Sequence, residues 1–287
     1  MSQKKTKSSH RFYPLALTVA GSDSGGGAGI QADLRTFNAF GVFGTSVITA
    51  VTAQNPKQIS RIEVLSPESV QAQLDSVLSC FAPDCIKSGM LPDEKIIRIL
   101  VRAVEKYKLK LVCDPVLTAT SGAFLVGTSA FEVLRNELLP RAEWITPNIP
   151  EAEQLLGGDI RITGKKELFE AARLLAERFG VSVLLKGGHG TFSEAVDAVV
   201  RGGRSYCLSS PRAEFPALAG HGTGCTLSAA LAAGITLDYP WKQALCEAKS
   251  FVLGSLTQHV ELASGVSAMY PPTEDCYELV KLEPAAD

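Results

Sequence analysis

Short apolar runs alternate with longer amphipathic runs along nearly the whole chain, and this alternation limits the fold more than any other feature. The short runs are Leu15–Ala20, Thr45–Val51, Cys85–Gly89, Leu111–Cys113, Trp144–Thr146 and Val183–Leu185. They are rich in Leu, Ile and Val and carry no strict polar alternation, the pattern of strands covered on both faces. Between them lie helical patterns. Ile30, Leu34, Phe37 and Phe40 recur at helical spacing. Ser66-Pro67-Glu68 opens a helix with a capping serine and a first-turn proline, and Val70, Leu74, Val77 and Leu78 give its apolar face. Further helices are predicted over Pro92–Lys106, Ser129–Leu138, Lys165–Phe179, Thr226–Ile235 and Pro240–Leu262. Glu194–Arg201 and Arg204–Ser209 flank Gly202-Gly203 and read as an antiparallel hairpin at the sheet edge. The whole predicts an α/β chain: a three-layer α/β/α sandwich on a mostly parallel central sheet. A length of 287 residues fits a flexible basic tail over 1–14, one domain over 15–270 and an extension over 271–287.

Charge and cysteine usage narrow the function. The net charge is −2, and because Lys4, Lys5, Lys7 and Arg11 crowd the first twelve residues without an acid, the remainder carries −6. A mildly acidic body argues against nucleic acid as partner. No apolar run reaches the ~18 residues of a membrane span. A signal peptide is not expected, since Tyr13–Ala20 is cut short by Gly21-Ser22-Asp23. The seven cysteines form no C-x-x-C pair and sit mostly in apolar segments. That suits reduced thiols in a cytoplasm.

The polar candidates fall at the carboxyl ends of predicted strands, where open α/β sheets hold ligands. Gly21 opens a glycine-rich loop after the first strand, and Asp33 lies in the first turns of the helix behind it. Gln54 follows the second strand, Met90 the third, Asp114 the fourth, Asn148 the fifth and Lys186 the sixth. Each also has a plain reading: dipole complement for Asp33, solvated glutamine, core methionine, local turn cap, surface lysine. Asn148 and Glu151, three apart, form a capping box or, in a nucleotide site, hold Mg²⁺ through water and phosphate. Gly220-His221-Gly222-Thr223-Gly224-Cys225 leads into a small-residue apolar helix. Free N–H groups at such a helix mouth bind anions, and glycines let the anion approach. Cys225 sits at that mouth, where a thiol pKa tends to fall. An anion cradle beside a proton acceptor suggests phosphoryl transfer to an alcohol, and a tight turn before a core helix is the bland alternative. No G-x-G-x-x-G and no Gly-Lys-Ser/Thr is present, so dinucleotide and Walker-type phosphate sites are unsupported.

Seven segments occur in an order that resembles one family: Ala20–Asp33, Val47–Asn55, Ser88–Leu91, Asp114–Val116, Thr146–Glu151, Leu185–His189 and His221–Ala230. The sequence is similar, over residues 15–262, to the hydroxymethylpyrimidine/phosphomethylpyrimidine kinases of thiamine biosynthesis, in the ribokinase-like superfamily. The resemblance implies an ATP- and Mg²⁺-dependent enzyme that phosphorylates 4-amino-5-hydroxymethyl-2-methylpyrimidine and then its monophosphate. By the same resemblance Gly21, Asp33, Gln54, Met90 and Val116 would line the pyrimidine pocket with Cys225. Asp114, Asn148, Lys186, Thr223 and Lys249 would serve ATP, and Asp114 and Glu151 would serve Mg²⁺. Gly222, Thr223 and Gly224 would form the anion hole, with Cys225 as the catalytic group. A homodimer is implied as well. The chain departs from the family near its end, where Ala263-Ser264-Gly265-Val266-Ser267 replaces the usual Gly-x-Gly-Pro tail.

The alternative on the same fold is a pyridoxal kinase. Gln54 favours the pyrimidine, since a carboxamide offers a donor and an acceptor side by side to an aminopyrimidine edge. A nicotinamide oxidoreductase lacks its fingerprint here, and a non-catalytic binder leaves the anion hole and Cys225 unexplained.

Overall fold

The computed structural model describes residues 12–117, 126–158, 160–188 and 193–285. The basic residues Lys4, Lys5, Lys7 and Arg11, and His189, lie outside the described residues. In chain order the main elements are β1 (Leu15–Asp23), α1 (Gly29–Ala39), β2 (Phe43–Asn55), β3 (Gln58–Val64), α2 (Pro67–Cys80), β4 (Cys85–Ser88), α3 (Glu94–Tyr107) and β5 (Lys110–Cys113). They continue with α4 (Thr128–Val133), β6 (Trp144–Ile145), α5 (Ile149–Leu155), α6 (Lys165–Phe179), β7 (Ser182–Leu185), β8 (Ala195–Arg201) and β9 (Arg204–Ser210). The last are α7 (Thr223–Thr236), α8 (Trp241–Thr257), β10 (Val260–Ala263), β11 (Val266–Ala268) and β12 (Lys281–Pro284).

Ten strands form one sheet in the order β12-β9-β8-β7-β6-β5-β4-β1-β2-β3. The pairs from β2 through β1, β4, β5 and β6 to β7 are parallel. The strands beyond them on both sides pair antiparallel. Successive residues of the central strands feed opposite layers. Leu17, Val19, Ile86, Leu111, Cys113 and Ile145 pack with the α2, α3 and α6 side. Ala16, Cys85, Val112, Trp144 and Leu184 pack with α1, α7 and α8. Burial on both faces is why these strands read as unbroken apolar runs.

The chain passes from β2 and β3 back across β1 to β4, so the strand order reverses between β1 and β4. Loops leaving those two strands diverge there and open a crevice at the strand carboxyl ends. Helix α7 lies along one side of it. Thr226 through Thr236 are all buried, between the sheet, α1 and α8. Small residues are required for that depth: a Cβ on Gly234 would lie 2.9 Å from Ala244 Cβ on α8.

The expected sandwich is present, with four differences from the sequence reading. The final helix ends at Thr257 rather than at Leu262, and Val260–Ala263 pairs with Val266–Ala268 around Gly265, whose φ is 69°. The Ser129–Leu138 helix is α-helical only over Thr128–Val133, and Leu134–Leu138 continues as a π-helical turn. The β8–β9 hairpin turns at Gly202-Gly203 as expected, yet it is not the sheet edge, because β12 pairs outside β9. Strand β3 has no counterpart among the elements predicted from the sequence. Among the described residues no helix is long and apolar enough to cross a membrane.

Candidate active site

A cavity of about 360 Å³ occupies the crevice, within the range of small-molecule sites, ~300–1,000 Å³. Its wall brings together Gly21, Gln54, Met90, Val116, Asp114, Asn148, Glu151, Lys186, Lys249 and Gly222–Cys225. Thirteen of the fourteen residues singled out from the sequence line it; Asp33 does not. Asp33 is fully buried behind the wall, where it accepts a hydrogen bond from Thr18 Oγ1 at 2.6 Å and meets Lys87 Nζ at 2.9 Å. Lys87, which the sequence reading passed over, lines the cavity in its stead.

The mouth of α7 is shaped by backbone against backbone. Gly222 caps the helix with φ 86°, and a Cβ there would run into the Gly27 carbonyl of the β1–α1 loop. Only glycine fits both the left-handed backbone and the close approach. A network draws the same loops together. His221 Nε2 lies 2.9 Å from Asp23 Oδ2 and 3.0 Å from Gln54 Nε2. Thr52 Oγ1 lies 3.1 Å from Gln54 Oε1. Thr52 bears on the Gln54 oxygen, and with His221 Nε2 donating to Asp23 the Gln54 amide keeps its N–H groups and a lone pair for a ligand. Burial opposes ionisation of Asp23, but hydrogen bonds from His221, Ala28 and Gly25 outweigh it and hold its carboxyl below the usual range.

Part of the cavity wall is ionic. Lys186 Nζ sits 2.7 Å from Asp114 Oδ1, and a Cβ on Gly224 would lie 3.1 Å from that ammonium. Lys186 therefore stands beside the first turn of α7, where an anion would bind. Burial works against its charge, yet Asp114 and Glu151 raise its pKa above the ordinary lysine value. Thr146 Oγ1 donates to Asp114 at 3.2 Å and lies 2.7 Å from Ser228 Oγ, which donates to the Gly224 carbonyl at 2.9 Å. Lys249 pairs with Asp197 at 2.7 Å, and Asp197 accepts from the Gly187 N–H at 2.9 Å. Asp197 had no signal in the sequence because its strand reads as plain hairpin.

Asn148 and Glu151 do form a capping box: Asn148 Oδ1 accepts from Glu151 N at 2.9 Å, and Glu151 Oε2 from Asn148 N at 2.8 Å. Both also line the cavity. Burial pushes Glu151 up to about 7, against Lys186. The donor set fits Mg²⁺, which favours carboxylate oxygen and keeps water and phosphate as its other ligands. Two buried carboxylates, Asp114 and Glu151, share this wall, and a divalent cation would relieve the cost of ionising Glu151.

Cys225 overturns one expectation. Its thiol is enclosed by protein except toward the cavity, and this burial pushes its pKa up rather than down. Lys87 and the Gly29 backbone N–H act in the opposite direction, while Asp114 and Asp33 add to the rise.

A three-layer sandwich whose cavity is lined by a glycine-rich helix mouth with a lysine beside it is the arrangement of the ribokinase-like kinases. A sequence model described as phosphomethylpyrimidine kinase matches residues 23–270. A chloroplastic thiamine biosynthetic bifunctional enzyme of Arabidopsis thaliana is 42% identical over 96% of this chain, which spans only 52% of that enzyme's length. A hydroxymethylpyrimidine/phosphomethylpyrimidine kinase of Synechococcus elongatus is 41% identical over 88% of this chain and 95% of its own. A Staphylococcus aureus pyridoxal kinase, solved with AMP-PCP and pyridoxal, superposes with a TM-score of 0.83 at 29% identity, covering 96% of this chain and all of its own. The chain belongs to the phosphomethylpyrimidine kinase family.

Proposed function

We propose that this chain transfers the γ-phosphoryl group of ATP to the hydroxymethyl group of 4-amino-5-hydroxymethyl-2-methylpyrimidine, and then phosphorylates the monophosphate to the diphosphate, in thiamine diphosphate biosynthesis. The observation that supports this reading is that Cys225 and the α7 mouth line one cavity together with Gln54, Met90, Lys186 and Asp114. Gln54 would pair with the amino group and ring nitrogen of the pyrimidine. Gly21, Met90 and Val116 would sandwich its ring. The backbone N–H groups of Gly222–Cys225, with Lys186, would hold the charge that builds on the transferred group. Lys249 and Asn148 would bind ATP at the outer end. As the new O–P bond forms and ADP departs with the electron pair of the broken bond, the substrate hydroxyl proton passes to Cys225 Sγ. Mg²⁺, when bound by Asp114 and Glu151 through water and phosphate, would neutralise charge on the phosphates.

Pyridoxal kinase is the second reading, favoured by the structural likeness to the Staphylococcus aureus enzyme. A coupled ATP assay against the pyrimidine, its monophosphate and pyridoxal separates the two. Turnover that tracks pyridoxal and ignores both pyrimidines refutes the first reading. We further infer a homodimer and a cytoplasmic location; a sedimentation-equilibrium mass of one chain would refute the dimer.

A further inference from the structure

The match to the family model ends at residue 270, and the residues that follow run back across α8 and along the sheet. Helix α8 presents two stripes. Lys249, Val252, Leu253 and Leu256 line the cavity. Ser250, Gly254 and Gln258, spaced by four, share a neighbouring face. All three meet the segment after Tyr270. Ser250, itself buried, donates through Oγ to Asp275 Oδ1 at 3.1 Å. A Cβ on Gly254 would lie 2.8 Å from Pro272 Cβ, so the segment rests directly on the helix. Gln258 Oε1 accepts from Thr273 N at 2.9 Å, Thr273 Oγ1 at 3.0 Å and Glu274 N at 3.1 Å. Its Nε2 donates to the Glu274 carbonyl at 3.1 Å. Asp275 Oδ1 also accepts from Tyr277 N at 2.8 Å. The chain then enters β12, which pairs with β9 from Lys281–Ser209 to Pro284–Tyr206. Strand β9 leads into Pro211 and Arg212, and these line the cavity too. The last residues thus strap together a helix and a strand that both contribute to the cavity wall.

Thr273, Glu274 and Asp275 are exposed. Directed hydrogen bonds, more than buried apolar surface, fasten this part of the strap to α8. A segment held in that way opens locally at less cost than the core. When it opens, α8 loses its outer support at Ser250, the residue next to Lys249. We propose that Asp275 is a positioning residue for nucleotide binding: by fastening the strap, residues 272–284, across α8, it holds Lys249 and the apolar stripe beside it against the cavity. The inference rests on the reading of this chain as an ATP-dependent kinase with Lys249 at the nucleotide. Such coupling is reciprocal. If the docked strap favours nucleotide, nucleotide favours the docked strap by the same factor.

The wild type is tested first, by hydrogen exchange of the strap amides with and without AMP-PCP. Exchange should slow by about 5–10-fold on binding, the low end of the range for coupled sites. The pyrimidine alone should leave it unchanged. Asp275→Ala and Asp275→Asn are then compared by calorimetry and steady-state kinetics. Asp275→Ala removes the acceptor, so the affinity for AMP-PCP should fall and the KM for ATP rise by the same ~5–10-fold. The kcat at saturating ATP and the KM for the pyrimidine should hold. Asp275→Asn keeps an acceptor oxygen in place and should restore the wild-type KM for ATP. A merely structural role would lower Tm in Asp275→Ala and leave the KM for ATP where it was, and that result overturns the proposal. So does strap exchange that AMP-PCP leaves unchanged, or that the pyrimidine slows equally. Should Asp275→Ala not fold, the wild-type exchange decides alone. A wild type that binds no AMP-PCP removes the kinase reading and the proposal with it, whereas binding without a change in strap exchange overturns the proposal only.

Discussion

Replacing Gly222 by alanine isolates the backbone contact that shapes the anion site. Two costs arise. An L-residue at φ 86° is held in the left-handed region, which costs about 1–2 kcal/mol. The new Cβ would also overlap the Gly27 carbonyl. That neighbour is backbone and cannot rotate aside, so the β1–α1 loop and the α7 mouth must part. Gly41→Ala supplies the control: its φ is 72° and nothing lies within 4 Å of its Cβ position. The control should show the first cost alone, a fall in Tm of about 2–4 °C per kcal/mol with kcat intact. Gly222→Ala should lose more stability than the control. Displacement of catalytic groups by about 1 Å costs on the order of 10²-fold in rate, so kcat should fall by about that factor. Thermal melts and the coupled ATP assay on both variants read the two quantities. Equal Tm shifts with wild-type kcat in Gly222→Ala would refute the claim that this contact positions the anion hole.

Cys225→Ala is expected to lose roughly 10²-fold in kcat with ATP binding retained by calorimetry, the lower end for general-base assistance. Because burial raises the Cys225 thiol, its thiolate share grows with pH, so kcat should climb from neutral to alkaline pH and the climb should vanish in Cys225→Ala. Iodoacetamide should inactivate the enzyme and the pyrimidine should protect it. Gln54→Met should lower kcat/KM for the pyrimidine by the equivalent of about 1–3 kcal/mol while the KM for ATP holds, because a polar substrate edge loses its partner in a closed site. Glu151 titrates near 7 in the fold against a reference of 4.5. The folded state binds the extra proton between those values, so this group's contribution to stability falls as pH rises from 4.5 to 7. Glu151→Gln should flatten that slope in denaturant titrations, and in the wild type Mg²⁺ affinity should weaken as pH drops below 7.

The parallel core was legible in the sequence because burial on both faces leaves a strand no polar positions, as in Leu15–Ala20 and Cys85–Ser88. The site was legible for a related reason: a strand buried throughout changes character abruptly where it ends, and Asp114, Asn148 and Lys186 mark those ends. β3 gave no such signal, since six of its seven residues are exposed. β12, Lys-Leu-Glu-Pro, is held by pairing with β9 rather than by any pattern of its own. The final helix stops at Thr257, short of Leu262, because Val260–Ala263 pairs with Val266–Ala268 instead, and Leu262 is 65% exposed. The pairing of Lys87 with Asp33 was not legible, because a charge in the chain is informative only when its partner is known. That partner is 54 residues away in the chain.

The meeting of Gly222 with Gly27, and of His221 with Asp23 across 198 residues, bears on how the protein comes into being. No fragment that stops short of α7 contains the proposed anion hole, however well its early strands fold. The nascent chain therefore cannot capture nucleotide until its last third has docked. Once it has, any bound ligand ties the first loop to the last helices, and the chain cannot open one without releasing the other. Ligand binding then stabilises the whole molecule by mass action rather than one region of it. Occupancy of the site becomes a report on completed folding, and its loss should coincide with global unfolding rather than precede it.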